Sequence, residues 1–427
     1  MVAFGSVRRT PRRVPRQGRR TAGALRALVI TGSVGAGHNG AAAELIRRLE
    51  AMGMEADCQD FLDALPRHQR LVLRQGYALT ASHLPAVFDW FFRCGERDSV
   101  ARRLTLRVCT AARSGVAGWV GQGYDVVVTT FPFAAQTLGA LKEDGTLTAP
   151  TVCYLTDPAP HRLWVHPALD AHLTVTEATA AEGSARYGVV MAAAGPLAPE
   201  AFARTPDPAE CRALRAELGV PDDHRMALMV TGSLGLGDVV AGVRAVRAAE
   251  RTVPVVLCGR NGRLLRQVSA EPGTVALGWR DDVPQLMGAA DVLVHNAGGL
   301  SLTEALVAGL PAVSYEVIPG HGQANAATLA AAGIAPWPRT PEELAEALAA
   351  QAERGRVHLP ALPAGYEAAR VVAAFARQAR EVRHSAGALC DPAFGRSFGA
   401  VLDRLRLRRP RRAVEAVEAV GVAAEVA

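Results

Sequence analysis

A carboxylate, Glu304, stands five residues beyond the glycine pair Gly298-Gly299 in the stretch V-H-N-A-G-G-L-S-L-T-E-A-L-V-A-G-L-P. The apolar run Asp291–His295 before it reads as a buried parallel strand. The glycines let the backbone turn sharply and approach a ligand closely. A helix follows, with Leu300, Ser301 and Thr303 near its start. Bare amides at a helix N-terminus suit phosphate groups, and a carboxylate one turn in can accept from both hydroxyls of a vicinal diol. The plainer reading is a Gly-containing turn with a favourable first-turn charge. The next segment, Ile318-Pro319-Gly320-His321-Gly322-Gln323-Ala324-Asn325, supplies a second polar loop one strand later. Two such loops on one sheet edge predict a sugar-nucleotide pocket.

A second pattern occurs twice. Thr31-Gly32-Ser33-Val34-Gly35-Ala36-Gly37-His38-Asn39-Gly40 follows an apolar strand over 24–30, and Thr231-Gly232-Ser233-Leu234-Gly235-Leu236-Gly237-Asp238 follows one over 226–230. Both read strand, T-G-S-x-G-x-G, helix, so two equivalent nucleotide-type folds are expected. Gly35 to Gly40 is formally G-x-G-x-x-G with Asp60 beyond, but three extra residues precede its first glycine, so a dinucleotide site is not expected. His38 stands where the second copy has Asp238. A histidine beside bare amides can take a hydroxyl proton near neutral pH; it can equally cap a helix.

A third motif, T-D-P-A-P-H-R-L-W over 156–164, ends a strand with Asp157, His161 and Trp164, and Asp170 lies beyond. No third ligand stands close enough to make Asp157 and His161 a zinc pair. H-N-A-G-G-L-S-L-T-E-A-L-V-A-G-L-P, followed by I-P-G and Asn325, resembles the donor-binding segment of a glycosyltransferase family with the GT-B fold. That family contains the monogalactosyldiacylglycerol synthases, the processive diacylglycerol glucosyltransferases and the N-acetylglucosaminyltransferase that forms lipid II. The G-x-G-H loop and the T-D-x-x-x-H-x-x-W motif are similar to the same family.

The resemblance implies that His38 faces the acceptor and acts as base, with Gly35, Gly37, Asn39, Asp157, His161 and Trp164 on the acceptor side. It implies that Glu304 holds the ribose of UDP beside Gly298, Gly299, Leu300 and Ser301. The Pro319–Asn325 loop, with His321, Gln323 and Asn325, would face the donor sugar. Gly232, Ser233, Gly235, Gly237 and Arg260 would lie near the diphosphate, and Gly278 and Trp279 near the uracil. Helix amides and an arginine can stabilise a diphosphate leaving group without metal, so no metal or cofactor is expected beyond the UDP-sugar co-substrate. The reaction implied is inverting hexosyl transfer to a membrane lipid, diacylglycerol first. This chain has His321 and Gly322 where the family usually has Gln and Glu, leaving glucose, galactose and N-acetylglucosamine open. The lipid II-type reaction is the nearest alternative. A sugar-nucleotide epimerase, a dinucleotide-dependent oxidoreductase and a catalytically silent sugar-nucleotide sensor are the others.

The whole chain must position these loops. Its 427 residues, 49% hydrophobic with 41 glycines, suffice for two α/β domains with full cores. The expected organisation is a basic disordered tail over 1–23, a Rossmann-like acceptor domain over 24–197, a Pro-rich linker over 198–208, a Rossmann-like UDP-sugar domain over 209–380, and a basic tail over 381–427. No apolar run reaches the roughly 18–20 residues a bilayer span needs. The seven scattered cysteines form no C-x-x-C pair, which suits a reducing, cytoplasmic compartment.

Residues 1–26 hold eight arginines and no acid, and 396–412 hold seven arginines and one acid, so in a chain of +6 the remainder stands at −8. Arginine-rich tails with no interleaved aromatics fit an anionic membrane surface better than nucleic acid. The segment Leu79–Phe92 concentrates Trp90, Phe91 and Phe92. It is either the core of a helical excursion or a lipid-facing patch beside the acceptor.

Overall fold

The computed structural model describes residues 23–83, 85–231, 237–359, 362 and 364–386. Of the tails expected over 1–23 and 381–427, residues 1–22 and 387–427, with the Arg-rich cluster expected to meet a membrane, lie outside the described residues.

Two wholly parallel sheets form the frame. The first holds β1 (Arg26–Thr31), β2 (Glu55–Asp60), β3 (Val126–Thr129), β4 (Thr151–Tyr154), β5 (Ala171–Thr174) and β6 (Met191–Ala193), in the order β2-β1-β3-β4-β5-β6. The second holds β7 (Arg225–Val230), β8 (Thr252–Leu257), β9 (Val275–Leu277), β10 (Val292–His295) and β11 (Ala312–Ser314), in the order β11-β10-β7-β8-β9. Strand alternation explains why both faces of each sheet are apolar. Ala27 and Val29 enter one core while Leu28 and Ile30 enter the other. In the second sheet Met226 and Leu228 point one way and Ala227 and Met229 the other. Helices cover both faces, as an all-parallel sheet requires.

Each sheet has one place where the order of connection reverses: between β1 and β3, and between β7 and β10. Loops leaving adjacent strands in opposite directions there open a crevice at the carboxyl ends. The first T-G-S loop follows β1 and so flanks one crevice, and β7, at the other crevice, leads into the second copy of the motif.

The domain boundary expected from sequence needs correction at its C-terminal end. Helix Ala368–Ala386 does not close the second domain. Its buried face, including Val372, Phe375 and Ala376, packs in the first-domain core with Ala27, Val29 and Val128. Arg380 and Arg383 both reach the carboxylate of buried Asp125. Residues 381–386 continue this helix rather than beginning a tail. The first-domain excursion consists of helices Arg67–His83, Pro85–Glu96 and Val100–Val120.

Because a Phe side chain of the last helix fills the first-domain core, Phe375→Ala is expected to lower stability by about 3–5 kcal/mol. Urea unfolding followed by fluorescence checks this; an unchanged midpoint means the helix is not integral to that core.

Candidate functional site

The two crevices face one another. In the first domain the helix Ala36–Ala51 begins after Gly35, which gives its N-terminus no side-chain cap. His38 therefore sits in the first turn, among uncapped amides. Thr130 Oγ1, at the end of β3, donates to His38 O at 3.0 Å. Across the crevice His38 Nδ1 lies 3.1 Å from Thr156 Oγ1. Phe131 and Trp164 pack their rings 5.2 and 5.7 Å from the imidazole. Burial in these aromatics pushes the His38 pKa below its ordinary value, against an opposing pull from Asp157, so the ring is neutral near pH 7.

Asn39 bridges its own loop, accepting from Thr31 Oγ1 at 2.9 Å and donating to Ser33 Oγ at 3.2 Å. Asp60 accepts from Ser33 N and Leu62 N and pairs with Arg74. Its carboxylate is thus committed to loop and helix contacts, in line with setting the dinucleotide reading aside.

Asp157 is anchored by Trp164 Nε1, which donates to Oδ2 at 3.0 Å. His161 is placed otherwise than the sequence suggested. Its Nδ1 accepts from Leu163 N at 3.2 Å, which leaves the proton on Nε2, 3.2 Å from Phe92 O and 3.3 Å from Glu96 Oε1. Nδ1 thus closes the 157–164 loop on itself, and Nε2 holds that loop to helix Pro85–Glu96. Asp170 likewise binds Lys142 Nζ and Thr151 N within the sheet edge.

In the second domain Gly298 opens helix Gly299–Ala308, again without a side-chain cap. A Cβ on Gly299 would overlap the Thr156 carbonyl of the first domain, and one on Gly40 would meet the Leu300 side chain at 2.9 Å. Glycine at both places lets the two helix starts close on each other, with Leu300 as the wedge. Ala297 and Glu316, at φ 67 and 47, hold a left-handed backbone at the ends of β10 and β11. Such strain in non-glycine residues concentrates at ligand sites.

Glu304 lies in the second turn, one turn deeper than expected. Burial raises its pKa from 4.5 to about 7, and no hydrogen-bond partner offsets this. His321 starts helix His321–Ala331, 6.2 Å from the Phe92 ring, with its pKa lowered by burial against the pull of Asp157. Asn325 departs from its expected role. It is fully buried, accepts from Ala159 N at 3.0 Å and donates to Ala297 O at 3.0 Å. Its amide joins the domains rather than facing a sugar. Gln323 is exposed.

Arg260 and Trp279 come together at the ends of β8 and β9, the guanidinium 4.2 Å above the ring. Trp279 is 52% exposed and donates to Asp281 Oδ1 at 3.1 Å. Gly278 adjoins it and Gly237, at φ 92, follows the second T-G-S loop. Gly232, Ser233 and Gly235 lie outside the described residues.

Thr156 was missed from sequence. A threonine at a strand end reads as a β-former, and only the fold shows its hydroxyl on His38. In the Leu79–Phe92 segment Trp90 (58%) and Phe91 (41%) are exposed, while Phe92 packs 4.3 Å from the His161 ring.

The raised pKa of Glu304 carries a stability cost with a definite sign. The protonated form is favoured on folding, so no penalty exists below pH 4.5; it grows from there to about 7 and is constant above. At roughly 1.4 kcal/mol per pKa unit it reaches at most about 3.5 kcal/mol. Glu304→Gln is therefore expected to melt higher than the wild type above pH 7, with the gain vanishing near pH 4. Thermal melts across pH check this, and a gain equal at both pH values overturns it.

Residues 38–189 match the family model described as monogalactosyldiacylglycerol (MGDG) synthase, and residues 229–353 match that described as glycosyl transferases group 1. A processive diacylglycerol beta-glucosyltransferase of Bacillus pumilus (strain SAFR-032) is 26% identical over 211 residues, covering 47% of this chain and 54% of that protein. A probable monogalactosyldiacylglycerol synthase 2, chloroplastic, of Oryza sativa subsp. japonica is 31% identical over 159 residues, covering 33% of this chain and 34% of that protein. The chain thus spans about half, or less, of the length of these relatives. The solved spinosyn rhamnosyltransferase SpnG, complexed with thymidine diphosphate, superposes with a TM-score of 0.50 at 14% identity, covering 84% of this chain and 100% of that one. The fold is GT-B, and the family resemblance read from the motifs holds in both halves of the chain.

Proposed function

We propose that this chain, whose two halves match the MGDG synthase and group 1 glycosyltransferase models, transfers a hexose from a UDP-sugar to the hydroxyl of diacylglycerol with inversion. The observation that carries this is the pair of opposed crevices, with neutral His38 beside Thr156 and Asp157 on one side and unpartnered Glu304 on the other. The names of both diacylglycerol-acting relatives support the acceptor class.

In this mechanism Nδ1–H of His38 donates to Thr156 Oγ1, leaving the Nε2 lone pair for the acceptor. Nε2 takes the hydroxyl proton as that oxygen bonds to the anomeric carbon from the face opposite UDP. The bond from the anomeric carbon to the diphosphate oxygen breaks, and UDP leaves with both electrons. Charge developing on the diphosphate is met by the uncapped amides at Gly299 and by Arg260, with no metal required. Asp157, held by Trp164, stabilises the imidazolium that forms. Glu304, ionised, accepts from the two ribose hydroxyls.

Exposed Val87, Trp90 and Phe91 on helix Pro85–Glu96, with Leu71, Val72, Val100 and Leu104 on its neighbours, support peripheral docking of the acceptor domain on the cytoplasmic face of the membrane. No described helix is long and apolar enough to cross a membrane.

His38→Ala is expected to cut turnover by roughly 10²–10⁴-fold while UDP binding persists, since the nucleotide site is in the other domain. Release of UDP from UDP-glucose and UDP-galactose with diacylglycerol micelles measures it; turnover within a few-fold of wild type assigns His38 to capping.

Glu304→Gln is expected to weaken UDP binding by about 1–3 kcal/mol by replacing charge-assisted acceptors with an amide. Because the diol needs the ionised carboxylate, wild-type UDP affinity should rise as pH climbs through about 7, and this rise should vanish in the variant. Calorimetric titration tests both. Unchanged affinity in a folded variant removes Glu304 from the site.

A further inference from the structure

The first domain carries a cavity of about 500 Å³ away from the interdomain crevice, walled by helices Val100–Val120 and Pro132–Glu143 and the segments 162–167 and 186–189. Four arginines line it, Arg102, Arg113, Arg162 and Arg186, joined by Gln136 and Tyr187, and no carboxylate is among its lining residues. The carboxylates that do meet these guanidiniums approach from outside the lining. Asp144 holds Arg113, and Glu96 at 2.9 Å and Glu182 at 3.8 Å hold Arg186. Asp98 stands 4.0 Å from Arg102. The Nε of Arg102 is buried with no hydrogen-bond partner.

A buried guanidinium N–H without an acceptor is an unusual expense in a folded chain. Four guanidiniums lining one solvent-open pocket raise the local potential there. An anion with several oxygens would satisfy the Arg102 Nε and take the remaining donors in the fork geometry that arginine offers to phosphate. Leu106, Val165 and Val189 leave part of the wall apolar, which suits a phosphate ester better than a bare ion.

We propose that this cavity is a second ligand site, specific for a phosphomonoester group and separate from the crevice that takes the UDP-sugar. The phosphate comes either from a soluble ester or from a lipid headgroup, and the two sources share the same recognition chemistry. Occupancy would be felt on the acceptor side, because Glu96, which holds Arg186, also accepts from Arg162 N at 2.8 Å and lies 3.3 Å from the His161 ring.

The test compares the full chain with Arg102→Gln and with Arg162→Gln, whose exposed side chain can change without risk to the fold. Equilibrium dialysis with glycerol 3-phosphate and inorganic phosphate reads the soluble source. Co-sedimentation with phosphatidylcholine vesicles, with and without a phosphomonoester lipid, reads the headgroup. Any phosphate bound in the nucleotide crevice is common to all three proteins and cancels. The expected result is at least a tenfold loss of phosphate-dependent binding in both variants, with UDP affinity within twofold of wild type. Should Arg102→Gln fail to fold, the Arg162→Gln comparison decides alone. Absence of binding in every arm, or equal binding by the wild type and the folded variants, overturns the proposal. Failure of UDP binding in all three proteins would instead count against the transferase reading and leave this comparison standing.

Discussion

One buried amide fixes how the two halves meet. Asn325 lies wholly out of solvent, and its oxygen and nitrogen are committed to Ala159 N in one domain and Ala297 O in its own. A buried polar group left unpaired is costly, so the two bonds are made together and with little play. That sets the separation of the 157–164 loop from the 296–299 turn, and with it the approach of Gly299 to Thr156. The hydroxyl of Thr156 is in turn what orients His38. His38 and helix Gly299–Ala308 are thereby placed by a residue that, in this structure, spends its amide between the domains.

The duplicated T-G-S motif leads into two helices that begin differently. In the second copy Asp238 caps its helix, accepting from Ala241 N at 3.0 Å. The helix there starts only at Val239. In the first copy the helix starts three positions earlier in the motif, at Ala36, and Gly35 offers no cap. His38 is therefore carried inside the first turn rather than standing at its threshold. A capping histidine would have one nitrogen tied to the backbone. This one has Nδ1 on a threonine hydroxyl of another loop, which leaves Nε2 available.

The sheets, the two glycine loops and the placing of Glu304 beyond a strand-to-helix turn were legible because each is a local pattern. Strand alternation, glycine spacing and a carboxylate a few residues on require no knowledge of what lies across the cleft. What stayed hidden was partnership. The periodicity of Ala368–Ala386 announces a buried face but not whose core receives it, and it crosses back to the first sheet. His161 and Asn325 have the same polar chemistry whether they meet a ligand or a backbone, and only the fold shows their atoms already committed. Thr156 was silent for the converse reason, since its strand-forming side chain concealed a hydroxyl with a specific partner.

The distribution of proton affinities in the crevice is the last consequence of this packing. Burial acts on His38, His321 and Glu304 alike, and in each case it favours the uncharged form. Asp157 is the counterweight, pulling both histidines upward from the shared loop. A crevice so arranged carries little net charge when empty. In the proposed reaction charge would enter with the ligands: diol hydroxyls would favour ionised Glu304, and proton transfer would make His38 cationic beside Asp157. Low polarity at rest strengthens each of these interactions when it forms. Phe131 and Trp164 wall the His38 ring, and Leu300 fills the contact between the two helix starts.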